Sequence, residues 1–128
     1  MSFERTFSGA PWEDQVGYCR ALKAGNTIYV TGTAPVDPDG TTHAPGDGEA
    51  QTRRCLEIIR DALGELGATM KDVVRTRMFV TDIDRWENYG KAHREFFEDN
   101  PPATTLVEVS RLISSDMLIE IEAVAVVE

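Results

Sequence analysis

Met117-Leu118-Ile119-Glu120-Ile121-Glu122-Ala123-Val124-Ala125-Val126-Val127 is the stretch that decides the fold. Its β-branched content and regular alternation read as a strand. Met117, Ile119, Ile121, Ala123, Ala125 and Val127 share one side, and Leu118, Glu120, Glu122, Val124 and Val126 share the other. Both sides are largely apolar, so both require cover.

Working outward, two helices are predicted. Cys55, Ile58, Ile59, Ala62, Leu63 and Leu66 recur at three- and four-residue steps, with Asp47 as N-cap and Gly67 as stop. A second helix begins at Asp84, with Glu87 completing a capping box and Trp86, Tyr89, His93, Phe96 and Phe97 as its apolar stripe. Asn100-Pro101-Pro102 ends it.

Further strands are expected at Phe3 to Phe7, Gly17 to Ala24, Thr27 to Thr31, Val73 to Thr81 and Ala103 to Ser110. Gly25-Asn26 joins the second and third as a hairpin. In the Val73 strand, Val74, Thr76, Met78 and Val80 fall on one face, and Arg75, Arg77 and Phe79 on the other. Residues 8–16 and the turn-rich stretch Pro35 to Gly48 read as loops. The result is an α+β domain, two helices on one face of a sheet. The second apolar face is left bare, which predicts a homo-oligomer.

The chain has 128 residues, one domain's length. Thirteen Lys and Arg against 22 Asp and Glu give a formal charge of -9, which repels phosphate backbones and argues against sequence-independent nucleic-acid binding. No apolar run approaches the ~18 residues of a membrane span. Cys19 and Cys55 carry no CxxC or Cys/His spacing, so no metal or redox motif is visible. The start Met1-Ser2-Phe3-Glu4-Arg5 lacks a basic head and apolar centre. Together these predict a reduced, cytoplasmic chain.

Candidate chemistry gathers on the last strand. Glu120 and Glu122 share a face about 6–7 Å apart. Either a partly desolvated carboxylate with a raised pKa serves proton transfer, or both pair with Arg75, Arg77 or Arg111 in an inter-strand network. Arg111 either grips a carboxylate with its planar fork or ties a loop. Tyr18 and Arg20 share a hairpin face. Tyr18 is a ligand donor or a core aromatic with its hydroxyl at the rim, and Arg20 is solvated or ion-paired. His93 reads as packed rather than as a base, and His43 lies in a loop with no nucleophile at a recognisable spacing. Cys55 reads as core, and Cys19 as a nucleophile without a base. From these residues alone no reaction can be named.

A resemblance narrows this. Gly17-Tyr18-Cys19-Arg20-Ala21-Leu22-Lys23-Ala24-Gly25-Asn26-Thr27-Ile28-Tyr29-Val30-Thr31-Gly32 resembles the opening hairpin of the RidA/YjgF family of enamine/imine deaminases. Gln51-Thr52-Arg53-Arg54-Cys55-Leu56 leading to Leu66-Gly67-Ala68 resembles that family's helix, and Val73-Val74-Arg75-Thr76 to Phe79-Val80-Thr81-Asp82 its middle strand. Pro102-Ala103-Thr104-Thr105, Val107-Glu108-Val109-Ser110-Arg111-Leu112 and Ile119-Glu120-Ile121-Glu122-Ala123 resemble its C-terminal signature. The similarity runs from Gly17 to Val127 within a single domain, residues 1–128.

The resemblance implies a chorismate-mutase-like fold and a homotrimer, its sheets around a central barrel with three inter-subunit clefts. It also implies cofactor-free hydrolysis of an imine or enamine, a small metabolite, to a 2-keto acid and ammonia. Glu120 matches the family glutamate that handles water, Tyr18 the cleft tyrosine, and Gly32 the glycine whose backbone faces the ligand. At Thr104 the sequence departs, because active members carry arginine there to grip the substrate carboxylate. Thr104 lacks that fork, a loss on the order of 1.5–3 kcal/mol. The chain therefore resembles an arginine-lacking branch. Arg20 replaces the missing cation from another direction, or the cleft takes another ligand, with the unusual Pro11-Trp12-Glu13 segment reshaping its mouth. Hydrolase, non-catalytic metabolite binder and ribonuclease are the three readings carried forward, the last opposed by the charge.

Overall fold

The computed structural model describes residues 2–128; Met1, first residue of the start discussed above, lies outside them. Strand β6 (Ile119–Val126) runs through the middle of a six-stranded sheet in the order β1-β2-β3-β6-β4-β5. The others are β1 (Phe3–Thr6), β2 (Ala21–Ala24), β3 (Thr27–Thr33), β4 (Val73–Val80) and β5 (Ala103–Glu108). β4 and β5 pair in parallel, and every other pairing is antiparallel. This is the expected α+β architecture.

The two long helices, α2 (Gly48–Glu65) and α3 (Trp86–Phe97), cover one sheet face. Cys55, Leu56, Ile59 and Leu63 of α2 are fully buried, as are Ile119 and Ile121 of β6. The Asp47 side chain accepts from the Ala50 amide at 3.0 Å, so the expected N-cap forms. Gly67 has φ +82, and the Ala68 amide reaches back to the Leu63 carbonyl at 2.9 Å, closing the helix as expected.

Gln51 continues the buried stripe of α2 as a polar residue. Its Nε2 donates to the Asp116 carbonyl at 2.9 Å and its Oε1 accepts from the Leu118 amide at 2.7 Å. Both ends of a fully buried amide are thereby satisfied, and the entry to β6, two residues before Glu120, is pinned to the helix.

Five expectations need correction. Residues 8–16 are not all loop: Pro11–Val16 forms a short helix, α1. Pro11 suits its first turn, the Glu13 carboxylate reaches back to the Ser8 amide at 3.1 Å, and Gly17 stops it at φ +88. Six residues with no apolar period gave no helical signal. The second strand begins at Ala21, not Gly17.

The second helix does not begin at Asp84 with a capping box: Asp82 caps a 3-10 turn over Ile83–Arg85, its side chain accepting from the Asp84 amide at 3.1 Å, and α3 follows at Trp86 with no side-chain cap. Trp86 is exposed rather than part of the stripe. Finally, Val74 is exposed and Val73 buried. The register against β6 shifts between Val73 and Arg75, and that bulge turns Val74 outward.

The opposite sheet face is open in the single chain. Tyr29, Val124 and Arg75 lie side by side on it, as do Glu122 with Arg77 and Glu120 with Phe79. Phe3, Tyr29 and Val126 are exposed there, in keeping with the expectation that this face lacks cover.

Candidate functional site

β3 carries a register shift between Val30 and Thr33, which sets the Thr31-Gly32 main chain out of the ladder. Glu120 of β6 lies directly over this bulge. A Cβ built on Gly32 would fall 2.5 Å from Glu120 Oε2, closer than any side chain tolerates. The carboxylate thus stands against the Gly32 backbone, and any side chain at position 32 would push the flexible end of Glu120 aside.

No cation comes within ion-pair distance of Glu120 among the described residues. Burial pushes its pKa above the ordinary carboxylate value; the charge of Arg20 opposes that rise and Glu122 adds to it. Glu122, two residues on, meets Arg77 Nη2 at 2.8 Å. The inter-strand network anticipated for both carboxylates therefore forms for Glu122 alone. Register is the reason: Arg77 stands opposite Glu122, whereas the neighbour opposite Glu120 is Phe79.

Arg20 is neither solvated nor ion-paired. Its Nη2 donates to the carbonyls of Thr31 at 2.9 Å and Gly32 at 2.8 Å, and its buried Nε has no partner among the described residues. Burial lowers its pKa, with Tyr18, Glu13 and Glu120 opposing, yet a guanidinium keeps its proton. Part of its fork is thus committed to holding the bulge that faces Glu120.

Tyr18 is half-buried and lines a groove of about 700 Å³ on the open face with Arg5, Tyr29, Arg75 and Glu122. Glu120, Gly32 and Thr104 do not line it. Arg111 is exposed and takes part in no ion pair among the described residues. Cys55 is buried with its thiol pKa pushed up, which makes it inert, and Cys19 is a half-buried free thiol. His43 Nδ1 meets Asp37 Oδ1 at 2.8 Å within its loop.

Thr104 lies elsewhere. It pairs with Thr76 of β4, while Glu120 pairs with Phe79. Thr76 and Phe79 are three residues apart on one strand and point to opposite faces. Within one chain Thr104 therefore faces the helix side at the sheet edge, and Glu120 the open side. Thr104 Oγ1 is 2.8 Å from Thr76 Oγ1, and Thr76 Oγ1 is 2.9 Å from His93 Nε2.

Thr76 is fully buried, and the His93 ring packs on Phe97 with centroids 4.5 Å apart. Burial lowers the His93 pKa to about 4, so the ring is neutral at physiological pH. Sequence reasoning placed His93 in the packing correctly but missed this chain. A Thr on each of two strands and a His on a helix carry no spacing signal until the register is known.

Comparison with known proteins places this geometry. Residues 10–127 match the family model described as Endoribonuclease L-PSP. A member of the YjgF/YER057c/UK114 family from Mycobacterium tuberculosis superposes with a TM-score of 0.90 at 44% identity, covering 98% of this chain and 100% of that one. The YjgF gene product of E. coli superposes with a TM-score of 0.81 at 33% identity, covering 96% and 97%. The 3-aminoacrylate deaminase RutC of Acinetobacter baylyi is 37% identical over 84% of this chain and 85% of its own. The chain belongs to the RidA/YjgF family, as its signatures suggested. No helix among the described residues is long and apolar enough to cross a membrane.

Proposed function

We propose that the protein is a hydrolytic deaminase of reactive imines, enamines or related small C=N metabolites, acting in the cytoplasm at clefts between three copies of the chain. The observation that carries this reading is Glu120, a half-buried carboxylate with no cation in ion-pair reach, held against the Gly32 backbone. A carboxylate whose pKa is raised by burial accepts a proton more readily than an ordinary one. The deaminase named among the relatives supports the same chemistry.

In the proposed reaction Glu120 takes a proton from water as the water oxygen bonds to the C=N carbon. Glu120 hands that proton to the nitrogen, giving a carbinolamine, and then takes the proton of its hydroxyl and passes it to the nitrogen in turn. The C–N bond then breaks, its electron pair leaves with nitrogen as ammonia, and the carbon becomes a carbonyl. Imine plus water gives carbonyl compound plus ammonia, with no oxidant or reductant and no cofactor.

Gly32 is the wall beside Glu120, and Tyr18, which lines the neighbouring groove of the open face, is the ligand-binding tyrosine of this reading. Arg20 sets that wall and lends its charge. Thr104 faces away from Glu120 in its own chain, so one site holding both must take Thr104 from a neighbour. The exposed Phe3, Tyr29 and Val126 supply apolar area for such a homotrimer.

A non-catalytic metabolite-binding trimer is the second reading, and the uncharged Thr104 favours it. The deciding assay supplies imines from an amino-acid oxidase, across several side chains, and follows ammonia and keto acid. Release above background that disappears in Glu120→Gln supports the hydrolase. No release from the wild type, with activity created by Thr104→Arg, supports the binder. A ribonuclease is disfavoured by the charge of -9, and RNA cleavage lost in Glu120→Gln would restore it. Sedimentation at micromolar concentration is expected at three chain masses; a stable single chain would remove the cleft from either reading.

A further inference from the structure

We infer that His93, acting through Thr76, fixes the Thr104 hydroxyl as a hydrogen-bond donor, so that this wall of the cleft selects ligands bearing an uncharged acceptor, such as an amide or ester carbonyl, over carboxylates. The inference rests on the reading above that Thr104 lines a neighbour's cleft.

The polarity follows from the ends of the chain. Thr76 Oγ1 has one proton and two partners, His93 Nε2 at 2.9 Å and Thr104 Oγ1 at 2.8 Å. It must donate to one and accept from the other. Among the described residues, the group of fixed polarity that meets these three side chains is the Pro102 carbonyl, 3.4 Å from Thr104 Oγ1, which can only accept. Every contact is satisfied when His93 Nε2–H donates to Thr76, Thr76 donates to Thr104, and Thr104 points its proton outward. In the reverse order Thr104 spends its proton on Thr76 and the Pro102 contact is lost.

The outward bond to Pro102 is long, so a ligand acceptor at ordinary distance displaces it. Thr76 is fully buried and the His93 ring packs at a tilt against Phe97, which restricts its turning. Both groups in reach of the Thr104 hydroxyl, Thr76 Oγ1 and the Pro102 carbonyl, are uncharged. A carboxylate seated on Thr104 would give up its hydration with no cation within reach of that hydroxyl in its own chain, whereas a neutral carbonyl needs only the one proton offered. His93 and Thr76 are positioning residues in this account, and Thr104 is the contact.

The experiment compares 2-oxobutanoate with its neutral isostere 2-oxobutanamide by calorimetric titration, together with nitrogen NMR of the His93 ring. The wild type is expected to bind the amide about tenfold more tightly than the carboxylate. Nε2 should resonate as the protonated ring nitrogen. Thr104→Val should erase the preference. His93→Phe should reduce it several-fold, and His93→Gln, which keeps a donor near the Nε2 position, should restore it. A purely structural His93 would change thermal stability in these variants without changing the amide-to-carboxylate ratio.

Equal or tighter binding of the carboxylate, a preference untouched by Thr104→Val, or an unprotonated Nε2 overturns the inference and leaves the cleft reading intact. Failure of both compounds to bind the wild type removes the cleft reading, and the inference with it.

Discussion

Glu120 and Glu122 are the same residue type on one face of one strand, two positions apart, yet their surroundings differ completely. Glu122 meets Arg77 at 2.8 Å on an accessible surface. Glu120 has no such partner, stands over a glycine, and carries a raised pKa through burial. One step along a ladder exchanges an arginine neighbour for Phe79, and one bulge in β3 opens space for a carboxylate against bare main chain. Register, not composition, separates an ordinary ion pair from a half-buried carboxylate with no ion-pair partner among the described residues.

The hardest test of that contrast removes each charge in turn. Glu120→Gln is expected to reduce imine hydrolysis by 100-fold or more, the usual scale of a lost general base. The same change should stabilise the fold at neutral pH. A carboxyl whose folded pKa exceeds its unfolded value favours the native state below about 4.5, and that contribution is lost as pH rises through the folded pKa. Glutamine carries no such loss. Glu122→Gln should leave turnover within about twofold. Equal losses in the two variants, read by ammonia release and thermal melts, would break the contrast.

His93 is the counterpart on the covered face: burial also penalises its charged form, but with the opposite pH sense. Its pKa falls from 6.5 to about 4. The fold should hold its full stability above pH 6.5 and lose it as pH drops toward 4, because the unfolded chain binds the proton first. About 2 kcal/mol is at stake after allowance for the partial exposure of the ring. Denaturant melts of wild type and His93→Gln should keep a constant difference above pH 6.5, and the wild type should lose stability relative to the variant between pH 6.5 and 4. Parallel curves would show that His93 titrates as a solvated ring.

These contrasts also mark what the sequence could reveal. The stripe of α2 and the alternation of β6 are local patterns enforced by burial, and they foretold the two-layer fold and the bare face. Glu120 and Gly32 were legible through their signatures. Their contact was not, because it depends on the β3 bulge. Val74 was misplaced for the same reason, since a bulge reverses the facing of every residue counted across it. α1 was missed because six residues held by Pro11, Glu13 and Gly17 need no hydrophobic period. The division of Thr104 and Glu120 between faces required the β4 register. Arg20 was unreadable because its partners are main-chain carbonyls, which have no sequence identity.

The glycine beneath Glu120 gives a gentler test. Gly32→Ala places a methyl 2.5 Å from the present Oε2 position, so the carboxylate must move. Because Oε2 is the free end of a flexible side chain, the fold should lose only about 1 kcal/mol. Turnover should fall roughly tenfold, as expected when a base is displaced from its water. A variant with full activity would mean that the carboxylate works from another position.

The smallest effect is expected where the contrast began. Arg77 and Glu122 are 52% and 35% exposed, so water and salt screen their attraction. In a double-mutant cycle with Arg77→Ala and Glu122→Ala, the coupling in the single chain should be about 0.2–1 kcal/mol and shrink in high salt. In the proposed trimer the open face is covered, and the same pair loses solvent. The coupling should then grow with protein concentration across the range where chains associate. A coupling that stays constant through that range would place Arg77 and Glu122 outside the interface while Glu120, two residues away, could still sit at its seam.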